Sequence, residues 1–167
     1  METNILRNSH SNASLASVLA KLQAAAAQPF SQAYPMPAAV NHSKEFYNHE
    51  YNKVFMREWI CVGRTDEIAA TGDYLTHDIA GVPVLVVRQG TGKIFGFVNA
   101  CAHRFMCLVP KVTGNARAFT CRYHAWTYDL DGALKRAPYM EMKKDFDVGQ
   151  HRLRTLHTES WEGFIYV

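Results

Sequence analysis

No stretch of this chain approaches the ~18 consecutive apolar residues that a membrane-crossing helix requires, so no membrane span is expected. Nor does the start combine a basic end, an apolar run and a cleavage site: residues 1–10 are polar, and Lys21 and Gln23 interrupt the Ala-rich stretch that follows. A cytoplasmic location is the expectation. A transit peptide is the weaker reading, raised by the scarcity of acidic residues between Glu2 and Glu45. Net charge is also small. At +3, with a pI of about 8.7, the chain falls short of the strong, clustered basicity of a nucleic-acid binder, and no such partner is expected. Cysteine is sparse: the four residues Cys61, Cys101, Cys107 and Cys121, in a chain without an export signal, argue for metal binding over a disulfide scaffold. There is no internal repeat.

The 167 residues suffice for one domain with an appendage. Leu15, Val18, Leu19, Leu22 and Ala26 recur at helical spacing over residues 13–28, with Ser14 placed to cap the helix and Pro29 to close it. After a loop containing Pro35 and Pro37, residues 44–57 put Phe46, Tyr47, Tyr51, Val54 and Phe55 roughly on one face and predict a second helix. From Trp59 the period becomes two. Strands are predicted at 59–63, 74–79, 82–88, 94–98, 116–121, 125–129 and 161–167, with turns at Gly90-Thr91-Gly92 and Asp131-Gly132. The expectation is a mainly β, antiparallel protein, with a helical lead over 1–57 and the β domain over 58–167. The final run, Trp161 to Val167, reads as an apolar strand that stops abruptly, so the chain is expected to be cut from something longer.

Cys101-Ala102-His103 and Cys121-Arg122-Tyr123-His124 form the pattern C-x-H-x17-C-x2-H, in which each box supplies one thiolate and one imidazole. A Rieske centre is a [2Fe-2S] cluster with two Cys on one iron and two His on the other, so two similar loops offering one of each can clamp it from both sides. Replacing two thiolates by neutral imidazoles also raises the potential above that of an all-Cys ferredoxin. Two Cys and two His would equally complete a tetrahedral zinc site. Zinc fingers, however, usually group Cys with Cys and His with His.

With their flanks these boxes resemble a known family. Phe97 to Arg104, Gly114-Asn115 and Cys121 to Gly132 look like the N-terminal part of the catalytic α subunit of Rieske non-haem iron oxygenases, over about Tyr47 to Val167. These are the ring-hydroxylating dioxygenases and the N- and O-demethylating monooxygenases. The resemblance implies an antiparallel Rieske-type β sandwich with two cluster-binding loops. Cys101, His103, Cys121 and His124 would be the cluster ligands, Trp126 would pack beside the cluster, and Arg104 would brace the first loop. The resemblance further implies electrons from an NAD(P)H-dependent reductase or a ferredoxin. They would pass to a mononuclear Fe(II) in a C-terminal domain, commonly that of a neighbouring subunit of a homotrimer, where O2 is activated to hydroxylate or demethylate an organic substrate. A free-standing Rieske ferredoxin is the alternative, disfavoured by the long helical lead.

The sequence departs from the family pattern at Phe105 and Ala125, where glycine is common, and at Arg122, where proline is common. Glycine tolerates a positive φ far better than Phe does. Cys107 has no partner cysteine, because Tyr123 fills the corresponding place, and it is read as a small buried side chain. Asp147, His151 and His157 are spaced too loosely to match the family's His/His/carboxylate iron site. Lys135, Arg136, Lys143, Lys144, His151, Arg152 and Arg154, set against Glu141, Asp145 and Asp147, read as a solvated face, with a docking surface for an acidic electron donor as the functional alternative.

Overall fold

The computed structural model describes residues 13–140 and 142–167; the polar start and Glu141 of the basic run lie outside the described residues. The chain divides into two compact units between Glu58 and Trp59. In the first, Ser14 caps α1 (Leu15–Ala26) by accepting from the Ser17 N–H, and α1 buries Val18. Ser43 caps α2 (Lys44–Glu50) through the Phe46 N–H (3.2 Å). The two caps are tied together, since Ser43 Oγ donates to the Ala13 carbonyl and Glu45 accepts from the Leu15 N–H. The second predicted helix does not run on as an α-helix to 57; a π-helical turn, Tyr51–Phe55, follows α2.

The second unit is mainly β, with one 3₁₀ turn at Val148–His151. β1 (Cys61–Arg64), β2 (Asp73–Ile79), β3 (Val82–Arg88) and β4 (Ile94–Val98) lie close to their predicted ranges. Of the predicted strand at 116–121 only β6 (Phe119–Thr120) forms, and β5 (Thr113–Asn115), which the sequence did not predict, precedes it in a different sheet. β7 (Thr127–Tyr128) and β8 (Leu134–Arg136) flank the Asp131-Gly132 turn. β9 (Thr155–Leu156), β10 (Glu159–Trp161) and β11 (Phe164–Tyr166) complete the chain. The expected single strand at 161–167 is therefore a hairpin. Glu162 and Gly163 take φ of 49° and 80°, the pair of positive values that a two-residue type I′ turn requires.

All pairings are antiparallel. A central sheet runs β5-β2-β3-β4-β9, and two three-stranded sheets run β1-β11-β10 and β6-β7-β8. Burial explains the layering. Val84, Leu85, Val86 and Val87 of β3 are each at most 1% exposed, so both faces of the central sheet are covered. Leu85 and Val87 pack with Phe97, Trp126 and Tyr128, whereas Val84 and Val86 pack with Val62, Ile68 and Ile165. The small sheet holding β7 thus shares one core with the central sheet, and the loops flanking both carry the Cys/His boxes.

Candidate metal centre

The two boxes sit on loops of one design. Loop 1 (residues 99–109) leaves β4, and loop 2 (residues 121–126) joins β6 to β7. In loop 1 the Cys101 N–H donates to the Met106 carbonyl (2.9 Å) while the Cys101 carbonyl accepts from the Phe105 N–H (2.8 Å). In loop 2 the Cys121 N–H donates to the Trp126 carbonyl (2.8 Å) and its carbonyl accepts from the Ala125 N–H (2.9 Å). Each turn closes through one residue in the left-handed region, Phe105 at φ 55° and Ala125 at φ 57°. These are the two positions where the family pattern favours glycine. The loop backbone keeps its shape without glycine, at a cost of about 1–2 kcal/mol per residue. Asn99, 3% exposed, locks the base of loop 1: its side chain donates to the Val109 carbonyl (2.7 Å) and accepts from the Val109 N–H (2.9 Å).

These turns bring the four predicted side chains together as two pairs, Cys101 beside Cys121 and His103 beside His124. Cys101 and Cys121 are buried, at 1% and 2% exposure. Burial pushes the Cys101 thiol upward; the Tyr128 hydroxyl opposes that shift and the neighbouring Cys121 adds to it. The His103 and His124 rings meet at 4.7 Å. Burial lowers the His103 pKa, and the charges of His124, Arg104 and His151 lower it further. One atom stands out: His103 Nδ1 is buried and has no hydrogen-bond partner among the described residues. A buried polar atom left so costs about 1–3 kcal/mol, and a metal taking the lone pair removes that penalty.

Two contributors, Tyr128 and Phe146, have no role in the sequence analysis. Tyr128, fully buried, places its hydroxyl 3.2 Å from Cys101 Sγ and accepts from the Ala102 N–H (3.0 Å). The hydroxyl thus bonds both the Ala102 N–H, as acceptor, and the Cys101 sulfur, to which its own proton is free to donate. Burial first, then Cys101, raises the Tyr128 pKa, so the donor keeps its proton. Trp126 does pack beside the site, stacked on His103 at 4.7 Å with 10° between planes, and His151 (5.4 Å) and Phe146 (5.7 Å) meet its ring.

Two expectations need correction. Cys107 is exposed, not buried, because Ala100 and Cys107 pair as an isolated antiparallel bridge that brings the chain out at the surface. Arg104 is exposed and, among the described residues, makes no side-chain hydrogen bond with which to brace loop 1; it acts on His103 through its charge. Among the described residues no three Cys, His, Asp or Glu side chains gather around a point where one ion would sit. Asp147, His151 and His157 likewise do not converge: the Asp147 carboxylate caps Gly149 and Gln150, and His151 Nδ1 meets the Asp147 carbonyl.

The family model for the Rieske [2Fe-2S] domain matches residues 58–155, more than half of the chain. The chain belongs to that family. Among relatives of this Rieske domain, the glycine betaine monooxygenase oxygenase subunit of Chromohalobacter salexigens is 37% identical over 134 residues, covering 80% of this chain and 30% of that protein. The chlorobenzene dioxygenase subunit alpha of a Cupriavidus species is 44% identical over 96 residues, covering 58% of this chain and 21% of that protein. Among solved structures, naphthalene 1,2-dioxygenase from a Rhodococcus species superposes with a TM-score of 0.78 at 28% identity, over 92% of this chain and 35% of that one. A quaternary ammonium Rieske monooxygenase in complex with L-carnitine gives 0.73 at 32% identity, over 80% and 38%. The chain covers between 21% and 38% of the length of these relatives. The naphthalene dioxygenase match is longer than the β unit alone, so it extends into the helical lead, which favours an oxygenase subunit over a free-standing ferredoxin.

Proposed function

We propose that this chain is the electron-accepting part of an oxygenase α subunit, with Cys101 and Cys121 as thiolates on one iron and His103 and His124 as imidazoles on the other. The partnerless buried Nδ1 of His103 carries this reading, since it lies beside His124 in a site that also buries two thiols. When bound, such a cluster takes up and releases one electron at a potential set by its ligands and by hydrogen bonds to its sulfurs. The chain's own residues do the rest. The paired loops hold the four ligand atoms, Tyr128 donates a hydrogen bond to the Cys101 sulfur, and Trp126 shields the His103 side from water.

In the whole protein the electron donor is an NAD(P)H-dependent reductase or a ferredoxin, and the acceptor is a mononuclear Fe(II) in a catalytic domain of a homotrimer, where O2 is used to hydroxylate or demethylate an organic substrate. Similarity to glycine betaine, carnitine and chlorobenzene oxygenase subunits supports this. The free thiols of all four cysteines suit a reducing, cytoplasmic setting. Metal and sulfide analysis of anaerobically purified protein tests the ligand assignment. Two irons and two acid-labile sulfides per chain are expected, lost in Cys101→Ser and Cys121→Ser and kept in Cys61→Ser and Cys107→Ser. One zinc without sulfide overturns it.

A further inference from the structure

The two loops of the metal centre are closed at their bases by different means. Loop 2 lies between paired strands: Phe119 stands opposite Tyr128 and Thr120 opposite Thr127, and the two threonine hydroxyls meet at 3.1 Å. A ladder holds it shut. Loop 1 leaves β4, whose neighbours in the sheet are β3 and β9, and its outgoing end runs to β5, which pairs with β2 on the far side of β3. Strands that are not neighbours share no ladder, so no regular pairing joins the two ends of loop 1. The backbone offers only the isolated bridge between Ala100 and Cys107 and a long bond, 3.4 Å, from the Leu108 N–H to the Asn99 carbonyl.

Asn99 fills this gap. Of the two polar side chains buried among the described residues, Ser43 caps α2, whereas Asn99 spans loop 1 from its first residue to its last. Its Nδ2 donates to the Val109 carbonyl and its Oδ1 accepts from the Val109 N–H. A carboxamide carries the same donor and acceptor as a peptide group, so these two bonds copy a hydrogen-bonded pair of an antiparallel ladder. The Asn99 backbone is itself anchored, its N–H donating to the Pro83 carbonyl on β3 at 2.8 Å. Both ends of loop 1 are thus tied to the central sheet at one residue, two positions before Cys101.

We propose that Asn99 is a positioning residue for the metal centre: its side-chain amide stands in for the missing ladder and fixes where Cys101 and His103 lie relative to Cys121 and His124. This rests on the cluster reading above and goes beyond it, because Asn99 holds no iron and acts through the two ligands of its own loop. Groups that orient metal ligands in this way commonly matter nearly as much as the ligands themselves. Loop 2 has no counterpart to Asn99 because its ladder already does the same work.

Full-length, cluster-loaded protein is challenged with excess iron chelator, iron release is timed by loss of visible absorbance, and the reduced cluster is examined by electron paramagnetic resonance. Asn99→Ala should release iron roughly tenfold faster or more and shift the resonance lines, which report ligand geometry at the irons. Thr120→Val, which removes the side-chain bond at the base of loop 2 and leaves its ladder, should behave as wild type in both. Val86→Ala, in the other core, should lower the melting temperature and leave the lines in place. Wild-type lines in Asn99→Ala, or equal release from Val86→Ala at matched loss of melting temperature, would show that Asn99 serves general stability only and overturn the proposal. If Asn99→Ala does not fold, the isosteric Asn99→Asp decides, since it keeps the bond from the Val109 N–H and loses the one to the carbonyl. Faster release with shifted lines is then expected, and wild-type behaviour overturns the proposal. Wild-type protein without iron and sulfide would instead sink the cluster reading itself.

Discussion

Tyr128 shows what a single side chain adds. It lies 27 residues from Cys101, on β7, and reaches the Cys101 sulfur only because β6, β7 and loop 1 share one core. The sequence placed Tyr128 inside the recognised motif but gave no sign of this bond, because a contact across that separation depends on packing and not on periodicity. The ligand residues were legible for the opposite reason: each box is local, and its Cys and His are one or two residues apart. Cys107 was misread as buried because composition says that cysteine is usually buried, whereas its exposure follows from the bridge it makes with Ala100. Reduction adds negative charge to a cluster, so a hydrogen bond to its sulfur stabilises the reduced form more than the oxidised one. Tyr128→Phe should therefore lower the midpoint potential while iron and sulfide content stay at wild-type levels. Redox titration followed by electron paramagnetic resonance measures it, and an unchanged or higher potential shows that the hydroxyl does not donate to that sulfur.

Among the elements, the longer strands were the most legible. β2, β3 and β4 were found nearly to the residue because β-branched and aromatic residues recur in them and glycine-containing turns separate them. The hairpin at Glu162-Gly163 was missed because apolar residues continue on both sides of it, and Phe119–Thr120 was joined to its neighbours because a two-residue strand has no period to read. The turn between β7 and β8 was predicted correctly from Asp131-Gly132. Gly132 takes φ 81°, and a Cβ there would lie 2.5 Å from Phe97 Cε1. Asp129 begins that turn. The Leu130 N–H, and then Lys135, hold its carboxyl below the usual carboxylate range. A depressed folded-state pKa stabilises the fold above the unfolded carboxylate value, and the gain is lost as pH falls through the lowered value. Asp129→Asn should thus unfold more readily than wild type near neutral pH, by no more than about 1 kcal/mol because the pair is solvent-screened. The difference should shrink as the medium is acidified. Denaturant unfolding at neutral and at acidic pH checks this, and a gap that stays constant between them means that the Asp129 charge contributes nothing.

On the scale of the molecule, sequence and structure agree on the class of chemistry because the ligand boxes, the strands that support them and the family match all fall within one unit. Oxygen activation is a different matter. It calls for a second iron site with two His and one carboxylate on one face and open positions for O2. The nearest grouping by sequence is Asp147, His151 and His157, and each is occupied elsewhere. Asp147 caps a turn, His151 packs on Trp126 and Phe146, and His157 lines a groove with Lys93, Thr158 and Ser160 on the β4–β9 side. The 167-residue chain, given a reductase, NADH and air, should therefore take up one electron per cluster and form no oxygenated product from glycine betaine, carnitine or chlorobenzene, the compounds named for its relatives. Cluster reduction is read by loss of visible absorbance and product by mass spectrometry. Stoichiometric product from this chain would mean that Asp147, His151 and His157 rearrange to hold iron, and their individual replacement by Ala should then abolish product while leaving cluster reduction intact.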